Sequence, residues 1–408
     1  MRIAVIFHRF GPYHCARLKA AAARHCDING IEVAAETQEY AWSAIRGTED
    51  YSRLTLFPSG NTHRMSVKQI CPRVEDALKD SAPNAVAIPG WSDKAALAAL
   101  RWCAESRTPA ILMSESTALD RPRSAWGEWI KQRIVDLYST VLVGGERHVD
   151  YLVRLGMPRE RIFTGYDVVD NEYFARSAIE IRNSKFENRK EYGLPENFFL
   201  ASARFIEKKN LPTLIRAYAR YRQFAGNTDN RHETIDNGPW DLVLLGDGPL
   251  RETLNSQLST LNLQHSVLLP GFKQYEELPV YYGLAKAFVH ASTTEQWGLV
   301  VNEAIASGLP VIVSNRCGCV PELVEGNGFT FDPNNEHELA SRLFEMASLS
   351  DDEHKRFEDA SRRIAVNFGP ERFGEGLKRA ATMAIDLPRR KFRAVDHAIL
   401  FGATRFRR

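Results

Sequence analysis

The stretch Ala287–Glu322, AFVHASTTEQWGLVVNEAIASGLPVIVSNRCGCVPE, decides how this chain is read. AFVHAS is a short apolar run with the character of a buried strand, and TTEQWG is a polar loop. LVVNEAIAS has helical spacing closed by Gly308, and PVIVS returns to strand character. A strand, loop, helix and strand in that order make one unit of a parallel sheet. In such units a ligand sits outside the carboxyl ends of the strands, where the loop meets the helix N-terminus and backbone N–H groups can hold an anion. Glu295 falls in that loop and Glu303 eight positions later, on the second helical turn. A carboxylate repels a phosphate but accepts two hydroxyl donors at once, so the pair suits the uncharged hydroxyls of a ligand whose phosphate lies nearby. A sugar nucleotide has both parts. The same two glutamates would also serve as solvated or helix-capping residues.

Upstream, FFLASARFIEKKNLPTLIRAYARY (Phe198–Tyr221) gives a buried strand, a basic turn and an amphipathic helix starting near Pro212. Arg204 and Lys209 stand on that turn, where charge-assisted bonds to a diphosphate contribute roughly 1.5–3 kcal/mol each. A solvated basic turn is the alternative. DLVLLGDGPL (Asp241–Leu250) ends a strand in a sharp glycine turn at Gly246 and Gly248, with Asp247 read as an ordinary turn residue. SVLLPGF ends at Gly271 and Phe272, where backbone groups could meet a flat base.

The ordered series RFIEKKN, GDGP, PGF, EQWGLVVNEAIASGLPV and PEL resembles the retaining GT-B glycosyltransferases of family 4, over about Phe198 to Pro333. The resemblance implies two doubly wound Rossmann-like domains facing across a cleft, and transfer of a hexose-type sugar from a nucleotide diphosphate donor to an acceptor hydroxyl. It assigns Glu303 to the nucleotide ribose, Glu295 to the donor sugar, and Arg204 with Lys209 to the diphosphate and its departure. The backbone amides of Gly298, Leu299 and Val300 would meet the sugar or phosphate, with Gly246 and Phe272 on the same donor-side rim. The nucleotide sugar is then a co-substrate, and no separate cofactor is implied. Nor does any DxD-type cluster claim a metal, so the cationic side chains are expected to neutralise the phosphates.

The amino-terminal half matches more loosely. RIAVIFHRFGPYHCARLKAAAARH gives a strand, a turn at Gly11 and Pro12, and a helix, with only Gly11 where family members often have a glycine-rich loop. His14 faces the cleft or serves as a structural hydrogen-bonding residue. Many relatives place a histidine at the end of a central strand here, whereas PAILMSESTALD offers Ser114, Glu115 and Ser116. Glu115 either points into the cleft toward acceptor or sugar, or caps the following turn. In RPRSAWGEWIKQRIVDLY, Trp126, Trp129 and Ile130 form an apolar stripe expected in the core, with Arg121, Arg123 and Lys131 turned toward an anionic acceptor.

At 408 residues the chain suits two domains, each large enough to bury a full core. The strand patterns IAVIF, IEVAAE, LTLFP, AVAIPG, AILMS, TVLVGG and IFTGYD alternate with helices ahead of the carboxyl-half series, giving a second doubly wound sheet. The expected boundaries are 1–174 for the first domain, 175–193 for a polar linker and 194–386 for the nucleotide-sugar domain, with a helix in 387–408 packing back on the first. Residues 223–239 read as a surface excursion. A net charge of +2 argues against a nucleic-acid partner. No apolar run approaches the ~18 residues that cross a bilayer, and the start lacks a signal-peptide profile. The expectation is a cytoplasmic protein with reduced, metal-free cysteines. Its basic, aromatic tail is either a solvated end or a peripheral contact with the inner face of a membrane, and the acceptor is lipid-linked or a saccharide.

Three other readings compete. A glycosidase would use Glu295 and Glu303 as its carboxylate pair, but that leaves the phosphate cradle unexplained. A dehydrogenase would need a dinucleotide fingerprint, and FHRFGPYH follows the first strand instead. A nucleotide-binding protein of the same fold that has lost turnover would fit the missing histidine and thin glycine loop.

Overall fold

The computed structural model describes residues 1–24, 26–35, 50–59, 65–226, 238–388 and 392–406. The chain forms two compact units, Met1–Val169 with Phe368–Arg408, and Asp170–Asn367.

The first unit is built on β1 (Arg2–Phe7), β2 (Asp27–Ala34), β3 (Ser52–Phe57), β4 (Ala85–Pro89), β5 (Ala110–Ser114), β6 (Thr140–Val143) and β7 (Ile162–Thr164). They form one parallel sheet in the order β3-β2-β1-β4-β5-β6-β7. The helices of this part are α1 (Pro12–Ala22), α2 (Val67–Ser81), α3 (Lys94–Ser106), α4 (Ala125–Val135) and α5 (Glu146–Arg154). Both faces of the sheet are covered, as a parallel sheet requires. Along β1, Ala4 and Ile6 enter the core under α2 and α3, while Ile3, Val5 and Phe7 enter the opposite core. Local sequence starts the helices: Asp93 caps α3 by accepting from the N–H groups of Ala95 (2.8 Å) and Ala96 (3.2 Å).

The second unit opens with α6 (Asn171–Asn183) and α7 (Lys185–Tyr192) and continues through β8 (Phe198–Ser202), α8 (Leu211–Gly226), β9 (Asp241–Leu245), α9 (Arg251–Thr260) and β10 (Val267–Gly271). It then runs through α10 (Leu278–Leu284), β11 (Ala287–His290), α11 (Leu299–Ala306), β12 (Val311–Ser314), α12 (Val320–Leu323), β13 (Gly328–Phe331), α13 (Glu336–Ala347) and α14 (Asp351–Val366). Its parallel sheet has the order β10-β9-β8-β11-β12-β13. The chain works outward from β8 to one edge, then crosses back to start again at β11, so the switch point lies between β8 and β11.

The domain limits differ from the sequence reading at both ends. Residues 175–193, expected as a linker, lie within α6 and α7 and belong to the second unit. Their polar composition conceals an apolar edge: Phe174 and Ala178 are fully buried, and Ile181 packs so closely on Gly283 that a Cβ there would come within 2.9 Å of it. At the other end the chain rejoins the first unit at Phe368 rather than near residue 387. There α15 (Pro370–Asp386) places Phe373, Leu377, Ala380, Ala381 and Ala384 in the core against β1 and α1. Gly374 makes this approach possible, since a Cβ would stand 2.7 Å from the Ala20 carbonyl oxygen. The last helix, α16 (Ala394–Phe406), packs on α3 and α4. The expected surface excursion at 223–239 falls mostly outside the described residues; α8 runs through Gly226 and description resumes at 238.

The apolar stripe of α4 also departs from expectation. Ile134 and Val135 are buried and Ile130 packs on the core, but Trp126 is 69% exposed and Trp129 38%. Lys131, expected to face an acceptor, is buried and donates to Glu128 (2.7 Å) and the Tyr151 hydroxyl (2.9 Å). Arg123 is turned onto Asp120 and Glu128, 3.7 Å from each. A short helix on a sheet buries roughly one side, and here the larger aromatic residues lie on the other.

Candidate functional site

In the second unit, backbone hydrogen bonds tie neighbouring strand ends into one rim. The Gly246 N–H donates to the Gly271 carbonyl (2.9 Å), Phe205 N–H to the Asp247 carbonyl (2.8 Å), Thr293 N–H to the Lys208 carbonyl (2.9 Å), and Gly318 N–H to the Glu295 carbonyl (3.0 Å). The rim therefore runs β10, β9, β8, β11, β12 along the carboxyl edge of the sheet, where ligands of open α/β sheets bind. The GDGP turn gets its composition from this contact: at Gly246 (φ +124°) a Cβ would lie 1.9 Å from the Ala203 carbonyl oxygen. Asp247 is exposed, consistent with an ordinary turn residue. Phe272 follows the rim at 38% exposure.

At the switch point, Lys209 at the end of a 3-10 turn (Glu207–Lys209) pairs with Oε2 of Glu295 from the β11–α11 loop. Two residues not singled out from the sequence converge on the same oxygen: His290 Nε2 at 3.3 Å and the Ser292 hydroxyl at 3.4 Å, with Ser292 and His290 3.1 Å apart. Both are buried. They lie two apart at a strand end and so share a face, the signal that a polar pair closing a buried strand offers. Burial pushes the Glu295 carboxyl up, but the His290 hydrogen bond and the Lys209 charge outweigh it and hold the group well below the usual carboxylate range. Burial also lowers His290, against the opposing pull of Glu295. The result is an ionised carboxylate with one oxygen bound by three side chains of the protein. Arg204 is exposed and has no ion pair among the described residues, so of the two expected cations only Lys209 joins this cluster.

Gly298 takes φ +109° at the N-cap of α11. The first N–H groups of an α-helix, here those of Leu299 and Val300, have no intrahelical carbonyl and carry the positive end of its dipole. Glu303 on the next turn is 2% exposed. It hydrogen-bonds the Tyr282 hydroxyl, and its charge helps burial raise both Tyr282 and Tyr275. Tyr275 stacks on Tyr173 with ring centroids 4.7 Å apart, and Phe174 meets Tyr275 and Tyr282 edge-on. This aromatic wall comes from α6, α10 and the 3-10 turn (Tyr275–Glu277) before α10, segments that the sequence motifs did not reach.

The first unit holds the remaining expected residues. His14 Nδ1 accepts from the Gly11 N–H (3.0 Å) and closes the start of α1, while its ring packs 4.4 Å from Phe7. Burial, aided by the Arg17 charge, lowers its pKa to about 3. His148 repeats the device at α5, accepting from Gly145 at 3.2 Å. Glu115 follows β5 near the buried Asp167, whose carboxyl is pushed well up by burial and by the Glu115 charge, against the pull of Arg17. Arg17 stands 3.9 Å from Asp167 and donates to the Val168 carbonyl (3.1 Å). Among the described residues no group of three or more His, Cys, Asp or Glu side chains is placed to hold a metal ion.

Residues 184–364 match the family model of glycosyl transferases group 1. The match covers less than half of the chain and marks that segment as similar to this family. The segment contains the Lys209–Glu295 pair, the α11 N-terminus and Glu303. Similar sequences include the alpha-monoglucosyldiacylglycerol synthase of Streptococcus pneumoniae, 30% identical over 54% of this chain and 46% of that protein. The putative colanic acid biosynthesis glycosyltransferase WcaL of Escherichia coli is 27% identical over 50% of this chain and 46% of that one. The chain thus spans less than half the length of these curated relatives. Likeness of fold extends beyond the matched segment. A Rickettsia africae glycosyltransferase matches 95% of the chain with a TM-score of 0.70 at 15% identity, covering 99% of that protein. Anabaena HepE, solved with UDP and glucose, matches 94% with a TM-score of 0.68 at 18% identity, covering 99% of its own chain. Two Rossmann-like units with these neighbours are the GT-B fold.

Proposed function

We propose that this chain is a retaining, metal-independent glycosyltransferase that moves a hexose-type sugar from a nucleotide diphosphate sugar to an acceptor hydroxyl. The observation that supports it most is the pairing of Lys209 with Glu295 at the switch point, on the loop that feeds the N-terminus of α11. In this reading Glu303, oriented by Tyr282, accepts the ribose hydroxyls, and the Leu299 and Val300 amides hold the diphosphate. Arg204 and Lys209 offset the charge that grows on the leaving phosphate. Glu295, pinned through one oxygen, offers the other to a sugar hydroxyl. The bond from the anomeric carbon to the diphosphate oxygen breaks as a new bond to the acceptor oxygen forms on the same face. The acceptor's proton passes to the departing phosphate oxygen. HepE was solved with UDP and glucose, and the pneumococcal relative is named for a glucosylated lipid, which makes a UDP-hexose the first donor to try and a lipid-linked or saccharide hydroxyl the first acceptor.

The test is nucleotide release from a panel of UDP-, GDP-, ADP- and TDP-sugars, with wild type, Glu303→Ala and Arg204→Ala in parallel. One donor should be hydrolysed, with release nearly abolished in Glu303→Ala. Arg204→Ala should raise the barrier by about 2.7–4 kcal/mol, as for the loss of one oxyanion donor. Nucleotide binding with no turnover on any donor or acceptor would replace this reading with that of a nucleotide-binding protein. Full turnover in Arg204→Ala would remove that residue from the mechanism.

A further inference from the structure

We propose that the outer face of α4 docks the protein on an anionic lipid bilayer through Trp126, Trp129, Arg121 and Arg133. Trp126 is the most exposed large aromatic residue among those described. Its ring lies 5.0 Å from that of Trp129 and within 19° of parallel, and the Arg133 guanidinium sits 5.5 Å from the other ring's centroid. Positions 126, 129 and 133 follow helical spacing, so two indoles and a cation form one column on a single face. Solvent exposure of two large apolar rings is costly and calls for a partner surface.

Charge selects the partner. The acidic residues of this segment each have a partner: Glu128 binds Lys131 and the Tyr151 hydroxyl, Asp120 accepts from the Thr117 N–H (2.9 Å) and lies 3.7 Å from Arg123, and the exposed Asp136 at the end of α4 lies 4.0 Å from Arg393. Arg121 and Arg133 have no ion pair among the described residues, which leaves the outward face cationic and aromatic. Indole rings favour the headgroup level of a bilayer, and guanidinium groups its anionic phosphates. Ile134 and Val135, buried on the opposite side of α4, hold the column rigid before any lipid arrives. The surface is independent of the catalytic reading.

The experiment is co-sedimentation of the full chain with phosphatidylcholine vesicles, with and without phosphatidylglycerol. Binding should require phosphatidylglycerol, weaken with salt, and fall at least ~10-fold in W126S/W129S. Brominated lipid should quench tryptophan emission in wild type and lose most of that quenching in the double variant. Both side chains are exposed, so the variant's thermal midpoint should match wild type, and R121E/R133E provides a second test without touching the indoles. Failure of wild type to bind, equal binding to the neutral vesicles, or unchanged binding in both variants would overturn the proposal. Retention by a soluble glucan instead of by vesicles would also overturn it, in favour of a saccharide surface.

Discussion

Glu295 shows how one carboxylate can be held and offered at once. Lys209, His290 and Ser292 all meet Oε2, so the remaining oxygen has its direction set by the protein. The pair is mostly buried, with side chains 13% and 12% exposed, and removal of either partner strands the other's charge. Urea melts of Lys209→Met, Glu295→Gln and the double variant should give a coupling energy of about 1–3 kcal/mol; additive effects would show that the pair contributes nothing to folding. His14 illustrates the opposite use of a polar residue. With a folded pKa near 3, against about 6.5 for an unperturbed histidine, it stays neutral in the folded chain while the unfolded chain takes up a proton. Its contribution is complete above pH ~6.5 and is lost as pH falls, with a slope of at most about 1.4 kcal/mol per pH unit. Stability measured at pH 7 and pH 5 should therefore differ less in His14→Gln than in wild type. An equal difference would remove His14 from the pH response.

Among the elements, α6 carries more than its sequence suggests. The Arg182 guanidinium reaches the Gly283 carbonyl in α10 (3.0 Å) and the Ser307 carbonyl at the end of α11 (2.7 Å). It joins the segment expected as a linker to the helix that bears Glu303, and it satisfies a terminal helix carbonyl that needs a donor. Arg182→Met should lower stability by about 1–3 kcal/mol, read from chemical denaturation, since two carbonyls lose a charged donor. A loss under about 0.5 kcal/mol, the range of ordinary surface changes, would make Arg182 dispensable. The same element explains the aromatic wall: Tyr173 and Phe174 on its first turn pack with Tyr275 and Tyr282 beside Glu303. The strand motifs were legible because a parallel sheet needs continuous apolar runs. The α6 edge was hidden because a half-exposed helix needs an apolar residue only every third or fourth position.

Across the chain, the first unit is completed by residues far away in sequence. Phe373 and Leu377 of α15 are buried beside Leu18, Ile3 and Val5, and the Thr140 hydroxyl donates to the Ala380 carbonyl at 3.0 Å. A chain ending at Asn367 would uncover this face, at a cost of about 5–8 kcal/mol in lost burial. That is most of the stability of an ordinary domain. Limited proteolysis of the truncated chain should degrade residues 1–169 while 170–367 persists, and equal protection of both would show that α15 is an accessory.

The residues of the chain were enough to fix two parallel α/β sheets, the rim motifs and the positions of Glu295 and Glu303, because strand periodicity, glycine turns and helix starts are local signals. His14 took the structural one of its two expected roles, as a helix cap, while the tryptophans expected in the core lie on the surface. Those outcomes depend on which side of a helix meets the sheet, and periodicity gives a helix a face without saying what covers it. Likewise, the meeting of Lys209, His290 and Ser292 at one oxygen, Tyr282 with Glu303, and α15 with β1 required chain segments distant in sequence to come together. Only the tertiary structure decided these contacts, because side-chain convergence is set by packing and strand order and not by local propensity.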